Sequence, residues 1–196
     1  MSNAYSELVA RISGGEGLTH DEAQSLLSTE DGQDFALIEA ASALRRQEFR
    51  NVIAIHTEDE ELAEALGTRS ISIDSYEILD ISQDIDSHEL ADRMVALGAG
   101  KSTGITVKLP QQAVPMTLMR ILSVLRLAAP DKVIHLPEGY EESLRSLASL
   151  AMHIVSAITI TDDIERWPLV NETLKALRHG GIVIAGSGSR DALAGY

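Results

Sequence analysis

The spacing of apolar residues changes after the first fifty positions of the chain. Up to that point apolar side chains recur at helical intervals, which predicts a helix over residues 20–28 and a longer one over about 34–49. Thr19, with Glu22 three residues later, forms the pattern of a capping box at the start of the first helix. Residues 1–50 are therefore expected to form a helical leader that packs on the rest of the chain.

Beyond residue 51, short apolar runs rich in β-branched residues alternate with helical stretches. The runs predict six strands, at 52–56, 70–73, 105–109, 133–136, 154–160 and 182–185. The stretches between them predict helices at about 59–66, 86–97, 116–128, 140–151 and 165–178. Such alternation is typical of an α/β fold with a parallel sheet covered by helices. Residues 51–196 are too few for a complete eight-unit barrel, so we expect a partial TIM-type barrel or an open sheet, in one structural domain.

Composition and charge limit the classes of partner. The 196 residues are 44% hydrophobic and 23% charged, which is ordinary for a globular domain with one core. The formal net charge is −14, and no basic stripe is visible, so neither nucleic acid nor an anionic membrane is an expected partner. The chain has no long apolar run and no secretory signal pattern, so we expect a cytoplasmic location.

A glycine-rich loop after the last predicted strand is the first candidate ligand site. Gly186, Ser187, Gly188 and Ser189 follow the strand directly. Backbone N–H groups in such a loop can bind a phosphate or a carboxylate, particularly before a helix. A tight turn explains the same residues, because glycine adopts backbone conformations that other residues avoid.

Histidines and carboxylates at strand ends are the remaining candidates. His56, Glu58 and Asp59 follow the first predicted strand, where an α/β sheet places its ligand crevice. Imidazole and carboxylates can hold a metal ion, but Asp59 equally suits the first turn of the next helix, so these three are weak candidates and no metal site is assigned. His135 ends another strand and is a ligand-binding candidate for the same crevice. The alternative is a hydrogen-bonded histidine with a structural role.

No catalytic group can be assembled from the spacing of residues alone. Asp162, Asp163 and Glu165 follow the fifth predicted strand and have the chemistry of a general base. Asp163 is equally suited to be the N-cap of the next helix. The catalytic residues are therefore unknown at this point.

Four segments carry a resemblance to a known family. Residues 12–23 read Ile-Ser-Gly-Gly-Glu-Gly-Leu-Thr-His-Asp-Glu-Ala, residues 133–143 read Val-Ile-His-Leu-Pro-Glu-Gly-Tyr-Glu-Glu-Ser, and the others are 40–51 and 116–130. Taken in chain order, the four segments resemble the biotin synthase, iron-hydrogenase maturation and methylornithine synthase branch of the radical S-adenosylmethionine proteins, including the start of the biotin-and-thiamin-synthesis-associated region. The resemblance implies an array of βα units.

The departures from that family concern its chemistry. Family members hold a four-iron cluster with three closely spaced cysteines after the first strand, whereas these 196 residues contain no cysteine. The family's Gly-Arg-Glu appears here as Gly139-Tyr140-Glu141, and the basic position of the preceding strand holds His135. The resemblance therefore implies a shortened relative that has lost the iron-sulfur cluster. Radical chemistry is not expected, and neither is S-adenosylmethionine as a cofactor.

Two functions remain open from the sequence. The first is a non-catalytic accessory or ligand-binding protein derived from a biotin-synthase-like scaffold, whose protein partner would be a full-length radical S-adenosylmethionine enzyme or a second copy of the chain. The alternative is a metal- or phosphate-dependent enzyme that uses the crevice at the C-terminal ends of the strands. The sequence does not decide whether the chain is an enzyme.

Overall fold

The computed structural model describes residues 3–29, 32–81, 86–161 and 167–185. Its helices are α1 Asn3–Ser13, α2 His20–Leu27, α3 Asp34–Phe49, α4 Glu60–Ala65, α5 Ser87–Ala99, α6 Pro115–Ala128, α7 Tyr140–Leu144, α8 Ala148–Ala151 and α9 Trp167–His179. Its strands are β1 Val52–His56, β2 Glu77–Asp80, β3 Gly104–Lys108, β4 Val133–Leu136, β5 Ala157–Thr159 and β6 Val183–Ile184. The alternation of strands and helices predicted from the sequence is confirmed.

The helical start of the chain follows its local sequence signals. Thr19 accepts a hydrogen bond from the backbone N–H of Glu22, and the Glu22 carboxylate accepts one from the backbone N–H of Thr19, so the predicted capping box is present. The helix α3 begins and ends where its periodicity predicts, and it packs against α1 and α6. None of the helices in the described ranges has the length and apolar character needed to cross a membrane.

Six strands form one sheet in which every pair is parallel, as predicted. The order is β2-β3-β4-β5-β1-β6, so β2 to β5 are neighbours in chain order while β1 lies between β5 and β6. A TIM-type barrel keeps β1 beside β2, whereas three strands separate them here. Within the described residues, the sheet is therefore open, with β2 and β6 at its edges.

The two faces of the sheet differ in chemistry. One face presents branched aliphatic side chains that are at most 1% exposed: Ile53, Ile55, Leu79, Ile105, Val107, Ile134, Leu136 and Ile158. The connections β2–β3, β3–β4 and β4–β5 each join neighbouring parallel strands. Because such crossovers are right-handed, their helices all lie on one side of the sheet. These helices, together with α3, bury the aliphatic face, which forms the main core.

Two predicted elements differ from the observed ones. The predicted strand at 70–73 is wrong, and β2 lies at Glu77–Asp80 instead. Ile71 makes a single strand-like bond to the Ile55 carbonyl, after which Ser72 bonds to Asp74 and the chain turns. The predicted helix at 140–151 is divided into α7, a short 3₁₀ turn and α8, because Arg145 adopts a φ of 52° that a continuous α-helix excludes.

Three buried cationic side chains lie at the N-terminal ends of the strands. Arg45, Arg126 and Lys132 are at most 5% exposed, and each donates to backbone carbonyl oxygens. The acceptors of Arg45 are the carbonyls of Val155, Arg50 and Val52, at 2.6–3.1 Å, and those of Lys132 are the carbonyls of Gly100 and Ser102, at 2.6–2.8 Å. These side chains satisfy buried and half-buried backbone carbonyl groups next to the first residues of the strands.

Candidate functional site

The face of the sheet opposite the aliphatic core is lined mainly by small and hydrogen-bonding side chains, with Ile78 and Val133 towards one side. We call it the polar sheet face, and its members are Ala54, His56, Ile78, Gly104, Thr106, Val133, His135, Ala157 and Thr159. The strand register sets Thr106 beside His135 and His56 beside Thr159. Two histidines and two threonines from four strands therefore meet near the centre of this face.

His135 lies at the centre of a hydroxyl network. Its Nδ1 is 3.1 Å from the Thr106 hydroxyl and its Nε2 is 2.9 Å from the Thr159 hydroxyl, and the side chain is fully buried. Burial, followed by the nearby His56, lowers the pKa of His135 to about 4. The ring is therefore neutral at pH 7, with one nitrogen donating to a threonine and the other accepting from one.

His56 has one ring nitrogen fixed by the backbone. Its Nδ1 donates to the carbonyl oxygen of Ile71 at 2.8 Å, and its ring lies edge-on to that of His135, with 6.0 Å between centroids. A proton held on Nδ1 leaves Nε2 of the neutral ring as a hydrogen-bond acceptor. His56 is half-buried, so that a small molecule on the polar sheet face can reach this side chain.

Residues 66–76, which we call the crossover segment, connect α4 to β2. They cross the polar sheet face from the side of β1 to the side of β3. Ser70 bonds to the backbone of Thr57 at one end, and Ser102 donates to the Ser75 carbonyl at the other. The Tyr76 ring lies so close to Gly104 that a Cβ at this position would come within 2.6 Å of it. The absence of a side chain at Gly104 thus allows Tyr76 to cover part of the face beside His135.

A cavity of about 640 Å³ opens at the carboxyl ends of β3 and β4. Its lining includes Lys108, Gln111, Gln112, Glu138, Tyr140 and Ser143. Lys108 lies two residues beyond Thr106 on β3, and side chains two residues apart on a strand point to the same face. The cavity therefore adjoins the polar sheet face at the carboxyl end of β3. The volume falls within the range of pockets that hold small molecules.

Tyr140 lines this cavity, and it stands at the position where the resembled family has an arginine. Gly139 adopts a left-handed φ of 93° and begins α7, which turns Tyr140 inward until it is 1% exposed. Burial raises the pKa of Tyr140 well above its usual value, so that it stays protonated. A neutral buried phenol cannot replace the forked, charged contact of an arginine.

The metal candidates are not brought together. The Asp59 carboxylate accepts from the backbone N–H groups of Glu61 and Leu62 at 2.8 and 3.0 Å, so it caps α4, while Glu58 is exposed. Across the described ranges, no group of three or more His, Cys, Asp or Glu side chains is arranged to hold a metal ion. The side chain of His56 instead lies on the polar sheet face, near that of His135.

Several other candidates lie outside the described residues. These are the glycine loop of Gly186, Ser187, Gly188 and Ser189, and the acidic residues Asp162, Asp163 and Glu165. The anion-site and general-base hypotheses attached to them stay predictions.

Sequence reasoning missed Thr106, Thr159 and Tyr76. A signal for the threonines was present, because strands buried under helices on both faces read as continuous apolar runs. Here polar residues interrupt the runs, with Thr106 between Ile105 and Val107 and His135 between Ile134 and Leu136. Such interruption indicates a sheet with only one aliphatic face. Nothing in the sequence signals the packing of Tyr76 on Gly104.

Comparison with known proteins gives a partial match. No protein-family model matches the chain. A biotin synthase of Kocuria rhizophila is 35% identical over 88 residues, which are 43% of this chain and 19% of that enzyme. The matched region thus spans about a fifth of the length of the relative. The match supports a biotin-synthase-like relationship for part of the chain.

Proposed function

We propose that this chain is a non-catalytic, ligand-binding protein on a biotin-synthase-like scaffold that has lost the iron-sulfur cluster. The partial match to a biotin synthase supports the scaffold, and the absence of cysteine from the 196 residues supports the loss of the cluster. The binding surface in this proposal is the polar sheet face with its adjoining cavity. The cavity lies where α/β sheets place their ligands, at the carboxyl ends of β3 and β4, and the polar sheet face adjoins it.

The state of His135 is the observation that carries the non-catalytic part of the proposal. A general base needs a free nitrogen and a pKa near the working pH. Both nitrogens of His135 contact threonine hydroxyls, and its pKa lies near 4. The most central titratable group on the face is therefore suited to a fixed hydrogen-bonding role. We place the metal- or phosphate-dependent enzyme second, because its metal candidates His56, Glu58 and Asp59 do not converge within the described residues.

The chemistry of the polar sheet face indicates the class of ligand. Its centre holds the Nε2 acceptor of His56 and the hydroxyls of Thr106 and Thr159, and the Tyr76 ring lies beside His135. Such groups bind uncharged molecules that carry both donors and acceptors, such as a nucleoside or a sugar, without the cost of burying a charge. We therefore propose an uncharged polar ligand in contact with His56.

Binding is tested with two matched pairs of probes, adenosine with adenosine monophosphate and glucose with glucose 6-phosphate. We expect an uncharged member to raise the midpoint of thermal unfolding and to bind saturably in calorimetry, because a ligand of the native state stabilises it. His56→Asn keeps a side-chain N–H near the Ile71 carbonyl and removes the Nε2 acceptor. This variant should weaken binding roughly tenfold, the scale of one hydrogen bond.

The control is His179→Asn, which alters an exposed histidine at the end of α9 and should leave the affinity unchanged. Binding of neither uncharged probe at millimolar concentration would count against the ligand class. Selective binding of the phosphorylated members would favour the phosphate-dependent alternative. An affinity that His56→Asn does not change would remove the polar sheet face as the binding surface.

A further inference from the structure

A second cluster of titratable side chains joins α2 to α5, on the helical side of the molecule and away from the polar sheet face. His20 is the first residue of α2, while His88 and Asp92 are one turn apart on α5. Nε2 of His20 is 2.9 Å from Nδ1 of His88, and Nδ1 of His20 is 2.8 Å from Oδ1 of Asp92. Two imidazoles and a carboxylate thus form a chain across the junction of these helices, which pack together along their length.

We propose that His20 and His88 bind a divalent transition-metal ion such as Zn²⁺, with Asp92 orienting His20 from its other ring nitrogen. Imidazole nitrogens are preferred ligands of zinc, nickel and copper. Two nitrogens on a tetrahedral zinc lie roughly 3.3 Å apart, given a bond length of about 2.05 Å. The observed separation of 2.9 Å is short of this by a few tenths of an ångström, a change that an exposed side chain can make.

The contact between His20 and Asp92 supports a metal-binding role for His20. Metal-bound histidines usually present their second ring nitrogen to a carboxylate, which fixes the tautomer and makes the ligating nitrogen more basic. The Asp92 carboxylate oxygen lies 2.8 Å from Nδ1, which is buried and makes no hydrogen bond in the present orientation of the ring, so a rotation of either side chain brings Asp92 into this position. With the His20 proton on Nδ1, its Nε2 is an acceptor, and binding of the ion displaces the proton that His88 shares with it, so that His88 carries its proton on Nε2 and both facing nitrogens bind the ion.

Exposure and charge make the site accessible to an ion from solution. The side chains of His88 and Asp92 are 64% and 63% exposed, and that of His20 is 26% exposed. The first turns of α2 and α5 also carry the acidic residues Asp21, Glu22 and Glu89, so the surrounding field favours a cation. Because the protein supplies two ligands, water molecules complete the coordination, and the ion would tie the start of α2 to α5.

The test is metal binding to the full chain, with Zn²⁺ as the probe and Mg²⁺ for comparison. We expect one Zn²⁺ per chain by calorimetry at micromolar concentrations and a rise in the thermal midpoint. Mg²⁺ should give neither effect, because it prefers oxygen ligands and would report only on surface carboxylates. His20→Gln and His88→Gln should each abolish both effects, and Asp92→Asn should weaken Zn²⁺ binding while the stoichiometry remains one.

The matched control is His179→Gln, which removes an exposed histidine on α9 and should leave Zn²⁺ binding intact. Circular dichroism verifies that each variant is folded before titration. The proposal is overturned if Zn²⁺ produces no saturable heat, if the response persists in both His20→Gln and His88→Gln, or if Mg²⁺ matches it. In those cases the two rings are joined by a hydrogen bond alone.

Discussion

Arg126→Met is expected to lower the free energy of unfolding by about 4 kcal/mol, a loss on the scale of removing one partner from a buried charged interaction. The guanidinium is fully buried at the end of α6 and makes five hydrogen-bond contacts, three of them from the two N–H groups of Nη1. The acceptors are the carbonyls of Ile154, Ala129, Pro130 and Lys132 and the hydroxyl of Ser156, at 2.8–3.2 Å. Methionine fills much of the volume but donates to none of the five acceptors, of which the Ser156 hydroxyl and the Ala129 carbonyl keep a backbone N–H donor.

Burial does not neutralise this arginine. Desolvation lowers the pKa of Arg126 to about 9, which is still above neutral pH, so its five hydrogen bonds are charge-assisted. The Phe49 ring lies 4.9 Å from the guanidinium carbon and covers it from one side. The side chain thus joins the turn before β4 to the turn before β5, and its removal should loosen both strands.

Urea unfolding followed by circular dichroism measures this loss. Arg178→Met is the matched control, since Arg178 also lies in the last turn of a helix, α9, but is exposed. Its replacement should change the free energy of unfolding by no more than about 0.5 kcal/mol. If Arg126→Met and Arg178→Met lower the free energy of unfolding by the same amount, the buried cation does not stabilise the N-terminal ends of β4 and β5.

Acidification is expected to destabilise the protein through His135. The pKa of this histidine is about 4 in the folded chain, against 6.5 for an unperturbed imidazole. Between these values the unfolded chain binds a proton that the folded chain does not, so stability falls as the pH is lowered from 7 towards 4. Over the whole interval the contribution is about 3 kcal/mol for this one group.

Unfolding free energies measured from pH 7 to pH 4 check this effect. The profile of His135→Gln should be flatter than that of the wild type, while His179→Gln should keep the wild-type slope. His153 adds to the wild-type slope with the same sign, because burial also lowers its pKa, so some slope should remain. NMR titration of the His135 ring gives a second measure. A midpoint near pH 6.5 for this ring would contradict the closed hydroxyl network.

Local signals in the sequence were sufficient where each element is fixed by its own residues. The capping box of Thr19 and Glu22 marks the start of α2, and the β-branched run Val52–His56 gives β1 with its observed bounds. The strand predicted at 70–73 failed because alternation in Ile71-Ser72-Ile73 also suits an extended segment with one bond to a neighbour. Edge strands, such as β2, have weaker apolar signals than central ones.

The candidate site was less predictable because its members come from distant parts of the chain. His135 meets Thr106 and Thr159, which are 29 and 24 residues away, and these contacts depend on the register of three strands. The sequence placed His56 and His135 at strand ends but does not show that β1 lies next to β5. The same limit applies to the buried arginines, whose acceptors are carbonyl groups that every residue has.

The central claim is that this chain lacks the cofactor of the enzymes it resembles. Anaerobic reconstitution with iron and sulfide tests this claim most directly. After removal of unbound reagents, iron and acid-labile sulfide are measured per chain together with the visible spectrum. A cysteine-containing biotin synthase treated in parallel shows that the procedure works. We expect no stoichiometric iron and sulfide and no broad visible absorption, because the 196 residues offer no thiolate. Stoichiometric iron and sulfide with that absorption would contradict the claim.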